Sequence, residues 1–210
     1  MTEAVPARAP ERRASLTGWP VNLLVAGRKV VVVGAGRIAA RKTAPLVELG
    51  AVVTVVAPTI SDEMRALNVA LVERAFEPAD LDDAWFVVTA TDVPAVNTAV
   101  FEAAEARRMF CNSADDPTNC SATLMALVRQ GDLVVAIGSG GRSPALATWL
   151  RQHVRSEMGP EYLTLVELLS EEPTGPHHLR RPAPAYRSPI ASARPWPSRP
   201  PWLPSGSPQT

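Results

Sequence analysis

The sequence predicts an α/β chain built on a doubly wound parallel sheet. Three observations predict it. Short β-branched apolar runs stand at residues 29–33, 52–56 and 84–89. Helical patterns alternate with them, and a glycine turn, Gly34-Ala35-Gly36, sits at the first strand-to-helix junction.

The first strand, Lys29 to Val33, is nearly all apolar, as a parallel strand buried on both faces requires. A helix follows from about Arg37 to Leu49, with Gly50 at the C-cap position. Pro45 conflicts with that helix, because its missing N–H and its ring cost roughly 3 kcal/mol in a helix interior. Val52 to Val56 is the second strand. Ser61 to Leu67 reads as a short helix with Ser61 as N-cap and Asp62 and Glu63 in the turn where the dipole favours acids. Ala70 to Glu73 and Ala84 to Thr89 read as strands, Pro94 to Arg107 as a helix and Met109 to Asn112 as a further strand. Beyond them the pattern predicts a helix over residues 122–130, a strand over Leu133 to Ile137, and a helix over Ser143 to Met158 with Ser143 as N-cap and Pro144 in its first turn.

Composition narrows the function classes. At 210 residues and 46% hydrophobic, the chain holds enough apolar material for one or two domains. Lys plus Arg and Asp plus Glu both number 21, so the global charge points to no nucleic-acid or anionic-membrane partner. No apolar run approaches the roughly 18 residues that span a bilayer, and residues 1–18 lack the apolar centre of a secretory signal; the expected location is cytoplasmic. Cys111 and Cys120 lack partners at zinc-ligand spacing, so they are expected to be buried and reduced, with no resident metal. Four zones result: a flexible N-terminus over 1–18, a nucleotide-binding domain over 19–121, an added segment over 122–172, and a tail over 173–210. That tail holds 11 of the 21 prolines, five arginines and no acid, which predicts disorder.

Four segments carry candidate chemistry. Gly34-Ala35-Gly36-Arg37-Ile38-Ala39 fits G-x-G-x-x-G/A between strand and helix. In this pattern the first glycine makes the turn, the second lets backbone approach a pyrophosphate, and the alanine allows close helix packing. Ala57-Pro58 stands where an acid would hold a ribose hydroxyl, and leaves NAD against NADP open on the residues alone. Arg37, Arg41 and Lys42 suit a 2′-phosphate or simply a solvated helix face. Thr91-Asp92 ends a buried strand and should line a cofactor cleft, or else Asp92 caps the following helix. Asn112-Ser113-Ala114-Asp115-Asp116-Pro117 places two adjacent carboxylates after a strand end. Only one of them can face the cleft, and an Asp-Pro turn in water is the plainer alternative. Gly138-Ser139-Gly140-Gly141-Arg142-Ser143-Pro144 feeds a second helix N-terminus, suited to an anionic substrate or to a simple capped connection.

Taken together, these segments from about Trp19 to about Leu169 resemble the siroheme synthase N-terminal family, the precorrin-2 dehydrogenases that in many members are also sirohydrochlorin ferrochelatases. The shared features include Pro20-Val21-Asn22-Leu23, Gly27-Arg28-Lys29-Val30, Ala40-Arg41-Lys42, Val55-Val56-Ala57-Pro58, Ala90-Thr91-Asp92, Cys111-Asn112 through Asp115, and Ser139 through Leu146. The resemblance implies a Rossmann-like doubly wound parallel sheet, a small α+β dimerisation segment and a shortened helical C-terminal region. It implies NAD as cofactor, bound by Gly34, Gly36, Arg37, Ile38, Ala39, Ala57, Pro58, Thr91 and Asp92. The implied substrate is a tetrapyrrole: precorrin-2 is oxidised to sirohydrochlorin, and bifunctional members then insert Fe²⁺, itself a substrate. Asp115 falls on the family's catalytic aspartate. Asn112, Ser139, Gly140, Gly141 and Arg142 fall at the tetrapyrrole pocket, and residues from about Ala122 to Ile137 on a homodimer interface. Two rivals stay in view: an NAD-binding sensor module and, because the Pro/Arg-rich tail departs from the family pattern, a catalytically impaired remnant.

Overall fold

The computed structural model describes residues 18–114 and 116–170. The 173–210 tail, most of the N-terminal zone and Asp115 lie outside the described residues. The chain divides into two compact units between Val166 and Glu167, and the sheet, the hairpin and α4 all lie in the first.

Five strands, β1 (Lys29–Val33), β2 (Val52–Val56), β3 (Ala70–Val72), β4 (Phe86–Thr89) and β5 (Phe110–Ser113), form a parallel sheet in the order β3-β2-β1-β4-β5. Strand order reverses between β1 and β4, whose register pairs Val30 with Phe86 and Val33 with Thr89. Successive residues of a strand point to opposite faces, and here both faces are covered. Val30, Val32, Val53, Val55 and Val88 pack against Ala39 and Ala40 of α1 (Arg37–Glu48) and Met64 of α2 (Asp62–Arg65). Val31, Val33, Val56, Val87 and Cys111 pack against Val100 and Ala104 of α3 (Pro94–Ala106). Each such valine, moved fully out of water, contributes about 1.5–3 kcal/mol, which is why an unbroken valine run is stable here and would not be on a one-sided sheet. The doubly wound prediction holds.

The segment after β5 corrects one expectation. No helix covers residues 122–130; instead β6 (Ala126–Gln130) pairs antiparallel with β7 (Leu133–Ile137), Gln130 opposite Leu133. Gly131-Asp132 makes the two-residue loop, with Gly131 at φ +56°, the left-handed conformation that tight hairpin turns demand. Val128 turns inward while Leu127 and Arg129 turn out, the period of two that a helix would not give. Helix α4 (Pro144–Glu157) packs on this hairpin and α5 (Glu161–Ser170) follows. No helix among the described residues is long and apolar enough to cross a membrane.

The Pro45 conflict resolves on the helix surface. α1 continues through Pro45, which sits on its exposed side, so the carbonyl of Arg41 that loses its N–H partner is left to water. Pro45→Ala restores that hydrogen bond. Set against the freedom the unfolded chain regains, the gain is about 2 kcal/mol, a rise in Tm of roughly 4–8 °C. Thermal unfolding followed by circular dichroism checks it, and an unchanged or lowered Tm would show that the helix does not bear the cost assigned to it.

Candidate functional site

The site begins where the strand order reverses, since in open α/β sheets ligands lie beyond the carboxyl ends of the strands at that point. Gly34 leaves β1 at φ +102° and donates its N–H to the Val56 carbonyl at 2.9 Å. A Cβ built on Gly34 would stand 2.5 Å from the Ala90 carbonyl oxygen, so only glycine fits between β1 and the loop after β4. Gly36 is different. Its backbone is extended, and a Cβ built there meets nothing within 4 Å. It is also the N-cap of α1 and supplies no side-chain cap, so no capping side chain takes up the first N–H groups of this 12-residue helix. Ala39 is fully buried against the sheet, while Arg37 and Ile38 are exposed beside the turn. The turn therefore offers uncapped donors, the positive end of a helix dipole and room for a group to approach backbone, which together suit a diphosphate.

The other predicted cofactor positions gather at the same edge. Ala57 is buried and Pro58 exposed at the end of β2, with no carboxylate in either place. Thr91 and Asp92 follow β4. Asp92 does not cap α3, which corrects the alternative reading of that residue: the N-cap is Val93, and no side-chain cap bond is made there. The Thr91 hydroxyl organises the turn instead, accepting from the Val93 N–H at 3.2 Å.

At the end of β5, Asn112 is buried; its amide donates to the Ala122 carbonyl at 3.0 Å, and its Oδ1 accepts from Lys42 Nζ at 3.4 Å. Lys42 thus reaches from α1 across to β5, a contact its place on a charged helix face did not reveal. Of the two adjacent acids, Asp116 is structural. Its carboxylate accepts from the Thr118 hydroxyl at 2.6 Å, the Asn119 amide at 2.6 Å and the Thr118 N–H at 3.2 Å, capping the turn Pro117–Asn119. The Thr118 hydroxyl, with Asn119 and their backbone N–H groups, holds its pKa below the usual carboxylate range.

Both cysteines are buried and free, as expected. Burial pushes the Cys111 thiol up to about 12 and raises that of Cys120 as well, the signs of inert packing rather than a nucleophile. Cys120 Sγ accepts from the Ser113 N–H at 3.1 Å, while the buried Ser113 hydroxyl has no partner among the described residues. Among the described residues no group of three or more His, Cys, Asp or Glu side chains could hold a metal ion.

The second glycine loop is held by local contacts. Gly140 and Gly141 adopt φ of +60° and +75°, Ser139 Oγ accepts from the Ser143 N–H at 3.1 Å, and Ser143 Oγ caps α4 through the Leu146 N–H at 3.2 Å. Arg142 is exposed. Among the described residues no hydrogen bond or ion pair joins residues 138–143 to the cleft of the sheet. The sequence reading also missed Asn97, a buried polar residue on the apolar face of α3 that bonds Thr89 and Thr91. An asparagine in register with Val100 and Ala104 was the available signal.

Residues 21–126 match the family described as "Putative NAD(P)-binding". Siroheme synthase 2 of Pectobacterium atrosepticum is 38% identical over 141 residues, which cover 65% of this chain and 31% of the relative. A siroheme synthase of Citrobacter koseri is 40% identical over 148 residues, 69% of this chain and 32% of the relative. The chain spans about a third of the length of these curated relatives. Among solved structures, SirC, a precorrin-2 dehydrogenase, superposes with a TM-score of 0.63 at 29% identity, covering 73% of this chain and 78% of that one.

The Asp116 cap has a pH dependence of known sign. A carboxylate whose folded pKa is lowered stabilises the fold above the ordinary carboxylate range, and the contribution is lost as pH falls through the lowered value. Asp116→Ala should cost about 1 kcal/mol at neutral pH. The Tm gap to the wild type should then close as pH drops below about 4. Calorimetry across that range checks it, and a gap that persists in acid would assign the stabilisation to something other than the charge.

Proposed function

The chain belongs to the NAD(P)-binding family, among the siroheme synthase N-terminal domains, and from that membership we propose that it is an NAD-dependent dehydrogenase acting on precorrin-2. The single observation that carries the cofactor half is the uncapped amino end of α1 beneath Gly36. Gly34 and Gly36 would admit the pyrophosphate to the N–H groups of Arg37, Ile38 and Ala39. The exposed Ile38 offers apolar contact, and Ala57, Pro58, Thr91 and Asp92 line the adjoining strand ends. NAD⁺, when bound, supplies the hydride acceptor.

The substrate half rests on the kinship. Oxidation of precorrin-2 to sirohydrochlorin removes a hydride and a proton. We assign the proton to Asp115, which lies outside the described residues and follows a strand end with its neighbour Asp116 committed to a cap. The polycarboxylate substrate would meet Arg142 and the backbone of Ser139, Gly140 and Gly141, with Asn112 securing the strand from which Asp115 springs. Insertion of Fe²⁺ into the product, with Asp115 again taking protons, is the further extension of this reading, as are a homodimer built through the β6–β7 hairpin and a cytoplasmic location.

Two experiments test the two halves. Gly36→Val should abolish measurable NAD⁺ binding by calorimetric titration while leaving Tm nearly unchanged, because its side chain enters open space; Gly34→Ala should instead lower Tm, because its Cβ meets the Ala90 carbonyl. Equal affinity in Gly36→Val would mean that the cofactor binds elsewhere. For the chemistry, purified protein with precorrin-2 and NAD⁺ should yield NADH and sirohydrochlorin by their absorption spectra, and Asp115→Asn should lose turnover at least a hundredfold with NAD⁺ affinity retained. Wild-type protein that binds NAD⁺ but forms neither product would return the sensor reading.

A further inference from the structure

Asn97 is the fourth residue of α3 and is 5% exposed. Its Oδ1 accepts from Thr89 Oγ1 at 2.5 Å and from Thr91 Oγ1 at 2.9 Å, with the Thr91 N–H at 3.4 Å. Its Nδ2 donates to the Thr91 carbonyl at 3.0 Å. The orientation of the amide is fixed by chemistry: a carbonyl can only accept, so the nitrogen must face Thr91 O and the oxygen the two hydroxyls. One side chain thus holds the last residue of β4 and both the N–H and the C=O of Thr91, two residues beyond it.

The neighbours on the same helical face, Val100, Ala103 and Ala104, are apolar and buried. An apolar residue at 97 would extend that face without the cost of desolvating an amide, provided that Thr89 and Thr91 were also apolar. The polar cluster therefore calls for a reason beyond core packing, and its location supplies one. The segment it holds, residues 90–91, is the backbone against which Gly34 packs with no room for a Cβ. A shift of that segment would move the wall of the cleft that faces the glycine turn.

We propose that Asn97 is a positioning residue for the dinucleotide, fixing the β4–α3 loop through Thr91 so that the cleft beside Gly34 and Gly36 keeps the width the cofactor needs. The inference rests on the NAD reading above.

NAD⁺ itself, titrated calorimetrically against the full chain without tetrapyrrole, tests it. Asn97→Ala should raise Kd about tenfold, the equivalent of about 1.4 kcal/mol. Asn97→Asp keeps the acceptors but sets a buried carboxylate oxygen against Thr91 O in place of the donor, so it should raise Kd at least as much; it also decides the matter if the alanine variant is insoluble. Val100→Ala, buried on the same helix but bonded to no part of the loop, should lower Tm and leave Kd unchanged. With precorrin-2 present, Asn97→Ala should raise KM for NAD⁺ and keep kcat at saturating cofactor, a split that mere loss of folded protein does not produce. Wild-type affinity in both Asn97 variants would overturn the inference, as would an equal rise of Kd in Val100→Ala. A wild-type chain that binds no NAD⁺ would overturn the cofactor reading and this inference with it, and is recognised before any variant is made.

Discussion

The contact between Gly34 and the Ala90 carbonyl is the constraint on which the rest of the site depends. β1 and β4 are adjacent in the sheet, and the Ala90 N–H donates to the Val33 carbonyl at 2.8 Å, which draws the loop after β4 toward the end of β1. A side chain on residue 34 would occupy the space of that loop's backbone. Glycine there lets two strand ends meet closely, and the chain then turns up and away into α1. The open space above Gly36 follows from that turn, so the tight contact and the cleft are two consequences of one backbone path.

The two helix N-termini that the sequence offered as anion sites differ in a way only the hydrogen bonds reveal. At α4 the first-turn donors have a local partner: Ser143 Oγ takes the Leu146 N–H, and Ser139 Oγ takes that of Ser143. At α1 the cap is a glycine with no side chain to offer. A capped terminus has already used part of its capacity for an anion, whereas an uncapped one lets a ligand supply the missing acceptors. The α1 terminus is therefore the stronger anion site, and the α4 loop would bind substrate carboxylates chiefly through exposed Arg142 and any backbone N–H left over.

The sheet was legible in the sequence because its central strands, β1 and β4, are buried on both faces. An uninterrupted β-branched run has that one stable placement, and the glycine fingerprint marked where the first run ended. Residues 122–130 were harder, since a short apolar run reads equally as helix or strand. What decided the matter was the pairing of β6 with β7 across Gly131-Asp132, from Gln130 opposite Leu133 out to Ala126 opposite Ile137. The acids show the same limit at finer scale. The Asp-Pro turn forms at Asp116, but its carboxylate is taken by the local partners Thr118 and Asn119 and not left to water. Asn97 was not legible as a site residue, nor was the reach of Lys42 to Asn112, because their partners on β4 and β5 become neighbours only once the sheet is formed.

The hairpin layer raises a different physical question. In α4, Leu146, Leu150 and Val154 form a stripe at helical spacing, yet none of that helix is fully buried. On the hairpin, Val128 alone is buried, while Leu127 and Val134 remain 48% and 39% exposed. A two-stranded hairpin with one helix is too small to dehydrate its own apolar surface, and such a pair is marginal in water by itself. The five-stranded sheet shows what the same kind of residues achieve when covered on both sides. The partial burial of this layer therefore favours an arrangement in which a second surface completes it, and the proposed homodimer would supply that surface from residues the monomer leaves half in water.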